Sequence, residues 1–111
     1  MLGLIIMLDV NHVIRQYTKM IRSFKCADTE AISKGIRVIR FVNIAAVARR
    51  KLRQLEIAGR LNDLRVPPGN RLEALKGDRS SQYSIRINDQ WRICFRWEEA
   101  GAEDVEIVDY H

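Results

Sequence analysis

The sequence has few of the residues on which metal sites and disulfide frameworks depend. Only two cysteines and two histidines occur among its 111 residues. Cys26 and Cys94 are too few and too far apart for a disulfide framework, and no Cys-x-x-Cys pair or Cys/His cluster predicts structural zinc. We therefore expect no metal and no cofactor, and a reduced, cytoplasmic protein.

A long hydrophobic run is missing as well. The apolar segment at residues 1–8 is far shorter than the roughly 20 residues that cross a bilayer. It is followed by Asp9 and polar residues instead of the small-residue cleavage site of a secretory signal, so we expect neither a membrane anchor nor export. A new apolar alternation opens at Met20. Residues 1–19 are accordingly interpreted as an N-terminal extension in front of a domain spanning 20–111.

The length and charge of the chain narrow the class of protein. A chain of 111 residues makes one domain, and 47% hydrophobic against 30% charged residues excludes a disordered chain. The net charge of +5 is modest, but it favours a polyanionic partner over a basic one.

Hydrophobic periodicity predicts two helices in the first half of the chain. A short edge strand at 21–24 precedes a short helix over 28–34. A stronger helix follows Asn43, its predicted N-cap, and a short helical continuation is expected at 61–64 before the two consecutive prolines. The apolar face of the helix that follows Asn43 consists of Ile44, Val47, Ala48, Leu52 and Leu55.

After the prolines the apolar period changes to two, which predicts strands. Residues 83–87 and 91–97 alternate around the short turn 88–90, with further strands expected at 72–75 and 105–108. The fold class is therefore α+β, with two N-terminal helices packed on one face of an antiparallel sheet. Besides the helix stripe, the predicted core contains Ile85, Ile87, Trp91, Ile93 and Phe95.

The face of the hairpin that points away from this core carries arginines. If the turn pairs Ile87 with Trp91, Arg86 lies opposite Arg92, and Arg96 follows on the same face with no acid among its strand neighbours. Opposed like charges destabilise a sheet. One interpretation is a solvated face of long side chains, and the other is a surface whose guanidinium groups bind phosphates. Composition does not decide between them.

Two further places carry groups suited to catalysis. The C-terminus is Asp109-Tyr110-His111, a carboxylate, a phenol and an imidazole that titrates near neutral pH. Period two places Asp109 and His111 on one face and Tyr110 on the other, unless the end of the strand twists. Lys76 lies at a strand end beside a glycine turn. Each of these features has an ordinary structural explanation when it is taken alone.

Taken together in this order, the motifs resemble the HigB-like toxins of the RelE/ParE superfamily, the host-inhibition toxins of bacterial toxin–antitoxin pairs. The resemblance covers residues 20–111, and each motif is weak by itself. The motifs that carry it are Met20-Ile21-Arg22-Ser23-Phe24, Leu75-Lys76-Gly77-Asp78-Arg79, Tyr83-Ser84-Ile85, Asn88-Asp89-Gln90-Trp91-Arg92-Ile93-Cys94-Phe95 and Asp109-Tyr110-His111.

The resemblance implies a small microbial-ribonuclease-like fold and an endoribonuclease that cuts mRNA in the A site of the small ribosomal subunit. Its active site corresponds here to Lys76, Arg92, Asp109, Tyr110 and His111. Some members have a histidine three residues before the lysine, whereas this chain has Glu73, so Glu73 or another residue would act as the base. On this hypothesis Arg79, Arg86 and Arg96 contact RNA or remain solvated.

The resemblance also implies a partner, a HigA-like antitoxin with a helix-turn-helix domain, and contact with operator DNA only through that antitoxin. The basic residues of the second helix would contact ribosomal RNA or an acidic antitoxin surface, or form a solvated face; they are Arg49, Arg50, Lys51 and Arg53. ParE-type relatives share the fold but inhibit DNA gyrase, so a non-nuclease inhibitor is the alternative function. The general acid–base groups argue against that alternative.

Overall fold

A computed structural model describes residues 20–110, which form two helices and a five-stranded sheet. The expectations for the extension 1–19 and for His111 fall outside the described residues. The helices are α1 (Ala27–Ser33) and α2 (Ala45–Ile57), and the strands are β1 (Met20–Ile21), β2 (Glu73–Ala74), β3 (Tyr83–Arg86), β4 (Trp91–Glu98) and β5 (Gly101–Asp109). An α+β fold is therefore confirmed. Within residues 20–110, no helix is long and apolar enough to cross a membrane.

The long helix α2 begins differently from the prediction. Its N-cap residue is Ile44 and not Asn43, and no side chain caps it. The backbone already turns before the helix, because Ile39–Phe41 form a 3₁₀ turn and the Ile44 N–H donates to the Phe41 carbonyl. Phe41 and Ile44 are both buried, so apolar packing positions the start of α2 in place of a polar cap.

The sheet is mixed and not antiparallel throughout, which corrects the expectation. Its strand order is β1-β5-β4-β3-β2, and β1 runs parallel to β5 while the other pairs are antiparallel. The predicted meander over β3, β4 and β5 is confirmed. The parallel pair joins the first strand to the last along the chain, and it is only two residues long, so local patterning carries no signal for it.

The first strand is shorter than the predicted range 21–24. Only Met20 and Ile21 pair with β5, and Phe24 makes a separate bridge to Val105. The interruption coincides with Asp104, whose φ is 52° and whose N–H donates to the Ser23 hydroxyl at 2.8 Å. A local distortion of β5 therefore breaks the ladder.

The hairpin of β3 and β4 has the predicted register. Arg86 pairs with Arg92 across the two strands, and Ile85 pairs with Ile93. The Asn88 side chain accepts hydrogen bonds from the N–H groups of Gln90 and Trp91, both at 2.8 Å, which closes the turn. The alternation of apolar and polar residues and the turn length were sufficient to determine this register.

One hydrophobic cluster joins the helices to one face of the sheet. Ile44, Ala48, Leu52 and Leu55 of the predicted helix stripe are buried, and Val47 is partly buried. The predicted strand residues are buried as well, except that Trp91 is half-buried and meets Phe41 edge to face at 5.4 Å between ring centroids. Burying a large apolar side chain contributes roughly 1.5–3 kcal/mol, so this cluster accounts for most of the favourable energy of the fold.

Candidate active site

Arg92 occupies the second face of the sheet, the side away from the helices, and is almost completely buried at 8% exposure. Its guanidinium is held by the neighbouring strand and by a loop. Nε donates to the Ser84 hydroxyl at 2.8 Å, and Nη2 donates to the Arg71 main-chain carbonyl at 2.7 Å. A second, longer contact at 3.4 Å joins Nη2 to the Ser84 carbonyl. The cation is thus fixed in plane and position.

Two of the other predicted site residues lie beside Arg92. Glu73 Oε1 is 3.8 Å from Arg92 Nη2, and the Glu73 side chain is about half exposed. The Tyr110 ring lies against the guanidinium, with 5.8 Å between Arg92 Cζ and the ring centroid. Strand β2 brings Glu73 to this position because Glu73 pairs with Ser84 on β3. The structure therefore brings together a cation, a carboxylate and a phenol.

Asp109 lies on the opposite side of the strand from Tyr110. It pairs with Trp91, whereas Arg92 pairs with Val108, so strand alternation gives Tyr110 and Arg92 the same face. The Gln90 amide donates to Asp109 Oδ2 at 3.1 Å, and the Tyr110 N–H donates to the Gln90 carbonyl. The predicted separation of Asp109 from Tyr110 is confirmed.

Lys76 is exposed and follows β2, three residues beyond Glu73. It precedes a 3₁₀ turn at Gly77–Arg79, in which Gly77 has a φ of 64°. Because the Leu75 N–H donates to the Gln82 carbonyl at 2.9 Å, the backbone is held to the hairpin up to the residue before Lys76. Lys76 is therefore presented at the end of the same segment that carries Glu73.

The remaining arginines of the second face have acidic partners, which corrects the expectation that no acid lies among them. Arg79 contacts Glu106 at 3.3 Å, Arg86 contacts Asp89 of the turn, and Arg96 contacts Glu98 at 3.0 Å and Asp104 at 3.4 Å. Glu106 and Asp104 come from β5, which pairs with the other side of β4. The expectation left out this strand, and it also left out two acids of the hairpin itself, Asp89 in the turn and Glu98 on β4.

The basic residues of α2 divide into two groups. Arg49, Arg50 and Arg53 line a groove of about 700 Å³ with Lys34 and the apolar Ile21, Phe24 and Leu52. Arg49 Nε also donates to the Ile32 carbonyl at 3.1 Å. This groove lies on the helical side of the sheet, away from Arg92.

Lys51 does not belong to that basic surface, although its sequence position predicted it there. It is 7% exposed, and its ammonium donates to Asn70 Oδ1. Burial lowers the pKa of Lys51, and the nearby charges of Arg50 and Arg86 lower it further. The helix turns Lys51 toward the loop after α2, a contact between residues far apart in the chain that helical periodicity does not show.

Two residues to which sequence reasoning gave no role at the site, Ser84 and Arg71, hold the guanidinium of Arg92, and Asn70 directly precedes Arg71 in the chain. Ser84 was detectable in principle, because alternation places it on the second face beside the arginines. Arg71 acts through its carbonyl, so its side chain carries no signal. No group of three or more His, Cys, Asp or Glu residues within 20–110 is arranged to hold a metal ion.

The two helices, the five-stranded sheet and an arginine-centred polar cluster on the second face make this an α+β protein, consistent with the RelE-like fold. A family model described as the RelE-like toxin of type II toxin–antitoxin system HigB matches residues 28–111. The chain belongs to the HigB-like toxin family.

Two curated relatives match half of the chain. Toxin HigB-1 of Vibrio cholerae is 47% identical over 53 residues, which are 48% of this chain and 56% of that toxin. An uncharacterized protein of Haemophilus influenzae is 41% identical over 56 residues, 50% of this chain and 55% of that protein. The chain thus matches about half the length of each relative.

Proposed function

We propose that this chain is the toxin of a bacterial toxin–antitoxin pair and an endoribonuclease that cleaves mRNA in the ribosomal A site. The observation that carries the proposal is the cluster of Arg92, Glu73 and Tyr110 on one face of the sheet. Membership of the HigB-like family supports the toxin role and an antitoxin partner of the HigA-like, helix-turn-helix type.

The proposed reaction uses the RNA's own 2′-hydroxyl as nucleophile. The 2′-oxygen attacks the adjacent phosphorus and the bond from phosphorus to the 5′-oxygen breaks, which leaves a 2′,3′-cyclic phosphate and a 5′-hydroxyl. A base takes the proton from the 2′-hydroxyl, an acid gives a proton to the leaving oxygen, and a cation stabilises the charge that develops on the phosphate. Each proton transfer is worth roughly 10²–10⁴-fold in rate.

Arg92 is the residue we assign to the phosphate. Its Nε and Nη2 are already bonded to Ser84 and Arg71, so the guanidinium pays little additional ordering entropy when it binds an oxyanion. Lys76 supplies a second cation from the neighbouring exposed segment. Tyr110, stacked on Arg92, would position the nucleotide by stacking or by a hydrogen bond to the phosphate.

Glu73 and His111 are the groups we assign to proton transfer. Glu73 is half exposed next to Arg92, so a substrate hydroxyl can reach its carboxylate. His111 is the first choice for the acid at the leaving oxygen. This assignment requires the chain end to turn out of the strand alternation, because Asp109, its orienting partner, lies on the side of the strand opposite Tyr110 and Arg92. Arg79, Arg86 and Arg96 would contact the RNA backbone after exchanging their acidic partners for phosphates, and Arg49, Arg50 and Arg53 would contact ribosomal RNA or the antitoxin.

Induced expression tests the proposal. The full chain should arrest bacterial growth, and Arg92→Ala or removal of residues 110–111 should relieve the arrest. Because removing one preorganised charge-stabilising group costs about 10²–10³-fold in rate, mRNA cuts should fall by a similar factor. Arg37→Ala, a change at an exposed loop residue, is the matched control and should remain toxic.

Circular dichroism of each purified variant separates lost chemistry from lost folding. Glu73→Gln should disturb folding less than Arg92→Ala, because the Glu73 side chain is half exposed. Mapping mRNA 5′ ends after induction should show cuts in phase with codons. Continued toxicity of a folded Arg92→Ala chain would refute the assignment, and signals of DNA damage without mRNA cuts would favour a ParE-like inhibitor of gyrase.

A further inference from the structure

A buried polar network connects helix α2 to the loop that precedes β2. At its centre is Asn70, which is completely buried. The Asn70 side-chain carbonyl accepts from the Lys51 ammonium, and its amide donates to Gln54 Oε1 at 3.1 Å and to the Leu64 carbonyl at 3.0 Å. A longer contact at 3.4 Å joins the same amide to the Val66 carbonyl. A fully buried amide with all of its groups satisfied rigidifies the structure around it.

The loop also has backbone hydrogen bonds of its own. Between Val66 and Leu72 the backbone forms one short turn, Pro68–Asn70, closed by the Asn70 N–H to the Pro67 carbonyl at 2.9 Å and by the Arg71 N–H to the Pro68 carbonyl at 3.1 Å. The next residue, Arg71, has φ 46° and ψ 58°, a left-handed conformation that costs free energy in a residue other than glycine. Asn70 therefore fixes the loop immediately before this strained residue.

The carbonyl of that strained residue holds Arg92. Arg71 O accepts from Arg92 Nη2 at 2.7 Å, and the Ser84 hydroxyl accepts from Nε on the other side. Because Arg71 follows Asn70 directly, movement of Asn70 displaces the Arg71 carbonyl and leaves Arg92 without one of its two short hydrogen bonds. A continuous path of contacts thus runs from Lys51 through Asn70 and Arg71 to Arg92.

We propose that Lys51 and Asn70 are positioning residues for Arg92: they place the Arg71 carbonyl that orients the guanidinium for the phosphate. This inference rests on the proposed function of Arg92. It also gives a role to Lys51, which is too deeply buried to bind RNA at the surface. A displacement of about 1 Å at a reacting group can cost 10²-fold in rate, so the network matters to the rate even though none of its members touches substrate.

The experiment measures both the geometry of Arg92 and the activity in the full chain. The variants are Asn70→Ala and Lys51→Met; the second keeps the length of the side chain and is the milder change if Asn70→Ala fails to fold. Ile32→Val, a small deletion at a completely buried position in α1, is the control for lost stability. Cleavage of mRNA on ribosomes gives kcat and KM separately, and Arg92→Lys identifies the Arg92 Nη2–H signals in ¹⁵N NMR spectra, which report on the hydrogen bond to the Arg71 carbonyl.

The expected result is a 10–100-fold lower kcat in both network variants, with KM within about threefold of the unaltered chain. The Arg92 Nη2–H signals should shift and exchange faster with solvent, whereas Ile32→Val should leave kcat and these signals unchanged. Asn70→Ala combined with Lys51→Met should be no slower than the slower single variant, because the two residues act as one unit.

The NMR signal separates failure of this inference from failure of the proposed function. Unchanged Arg92 Nη2–H signals in folded Lys51→Met and Asn70→Ala overturn the positioning role, whatever the activity. The positioning role is also overturned if the network variants lose no more kcat than an Ile32→Val chain whose stability is lowered by the same amount. A displaced signal together with full activity of Arg92→Ala supports the positioning role and refutes the proposed function of Arg92.

Discussion

The hydroxyl of Thr29 provides a quantitative test of how α1 is attached to the sheet. Thr29 is completely buried, and its Oγ1 accepts from the Ile107 N–H on β5 at 3.0 Å. β1 and the bridge from Phe24 cover the outer edge of β5 only as far as Val105, so Thr29 satisfies a strand N–H beyond their reach. Thr29→Val removes the hydroxyl while keeping the size of the side chain and its helix propensity.

The expected loss follows from the burial of that N–H. An unsatisfied buried donor costs about 1–3 kcal/mol, and each kcal/mol lowers the Tm of a domain of this size by about 4–8 °C. Thr29→Val should therefore melt at least 4 °C below the unaltered chain, and the Ile107 amide should exchange faster with solvent. Chemical denaturation and hydrogen exchange measure the two effects.

Thr29→Ser separates the hydrogen bond from packing, because it keeps the hydroxyl and loses only the methyl group. Its free energy of unfolding should fall by about 1 kcal/mol or less, and its Ile107 amide should stay protected from hydrogen exchange. A Thr29→Val chain whose free energy of unfolding falls by less than 0.5 kcal/mol, or a Thr29→Ser chain with an equally exposed Ile107 amide, would refute the reasoning.

Two further predictions concern a close backbone approach and the cysteines. Gly101→Ala should lower the Tm strongly, because a Cβ at Gly101, whose φ is 131°, would lie 2.1 Å from the Met20 carbonyl oxygen. Gly69→Ala is the control and should leave the Tm unchanged, because the space around Gly69 is open. Equal Tm values for the two variants would contradict this reasoning. Cys26 should be alkylated before Cys94 at pH 7–9. Burial would raise the pKa of Cys26, but hydrogen bonds and a nearby cation outweigh it and lower the pKa, whereas burial raises the pKa of Cys94. Mass spectrometry over time measures the order, and faster modification of Cys94 would show that it is accessible.

The site was partly predictable because some of its geometry is local. Strand alternation and a short turn place Arg86 opposite Arg92 and put Tyr110 on the face opposite Asp109, and the structure agrees. The proximity of Glu73 to Arg92 depends on the pairing of β2 with β3, which residues 72–75 indicated only as a possible strand.

Other predictions failed where a contact joins distant parts of the chain. The sequence placed Lys51 on a solvated basic face, but the loop after α2 folds over it and Asn70 Oδ1 accepts a hydrogen bond from its ammonium. Among the acids that pair with Arg79 and Arg96, Glu98 is local, but Glu106 and Asp104 come from β5, on the far side of β4 from the hairpin. Neither contact has a periodicity, so no local pattern could indicate it.

By itself, the sequence determined the fold class, the apolar stripe of α2, the register of the hairpin and the HigB-like family, because these depend on periodicity, turn length and ordered motifs within short stretches. Only the tertiary structure decided that β1 is parallel to β5, that Lys51 is buried and that Arg92 is held by Ser84 and Arg71. The physical reason is distance along the chain: buried polar groups take whichever partners packing brings to them, and for Lys51 and Arg92 those partners lie 8 to 21 residues away.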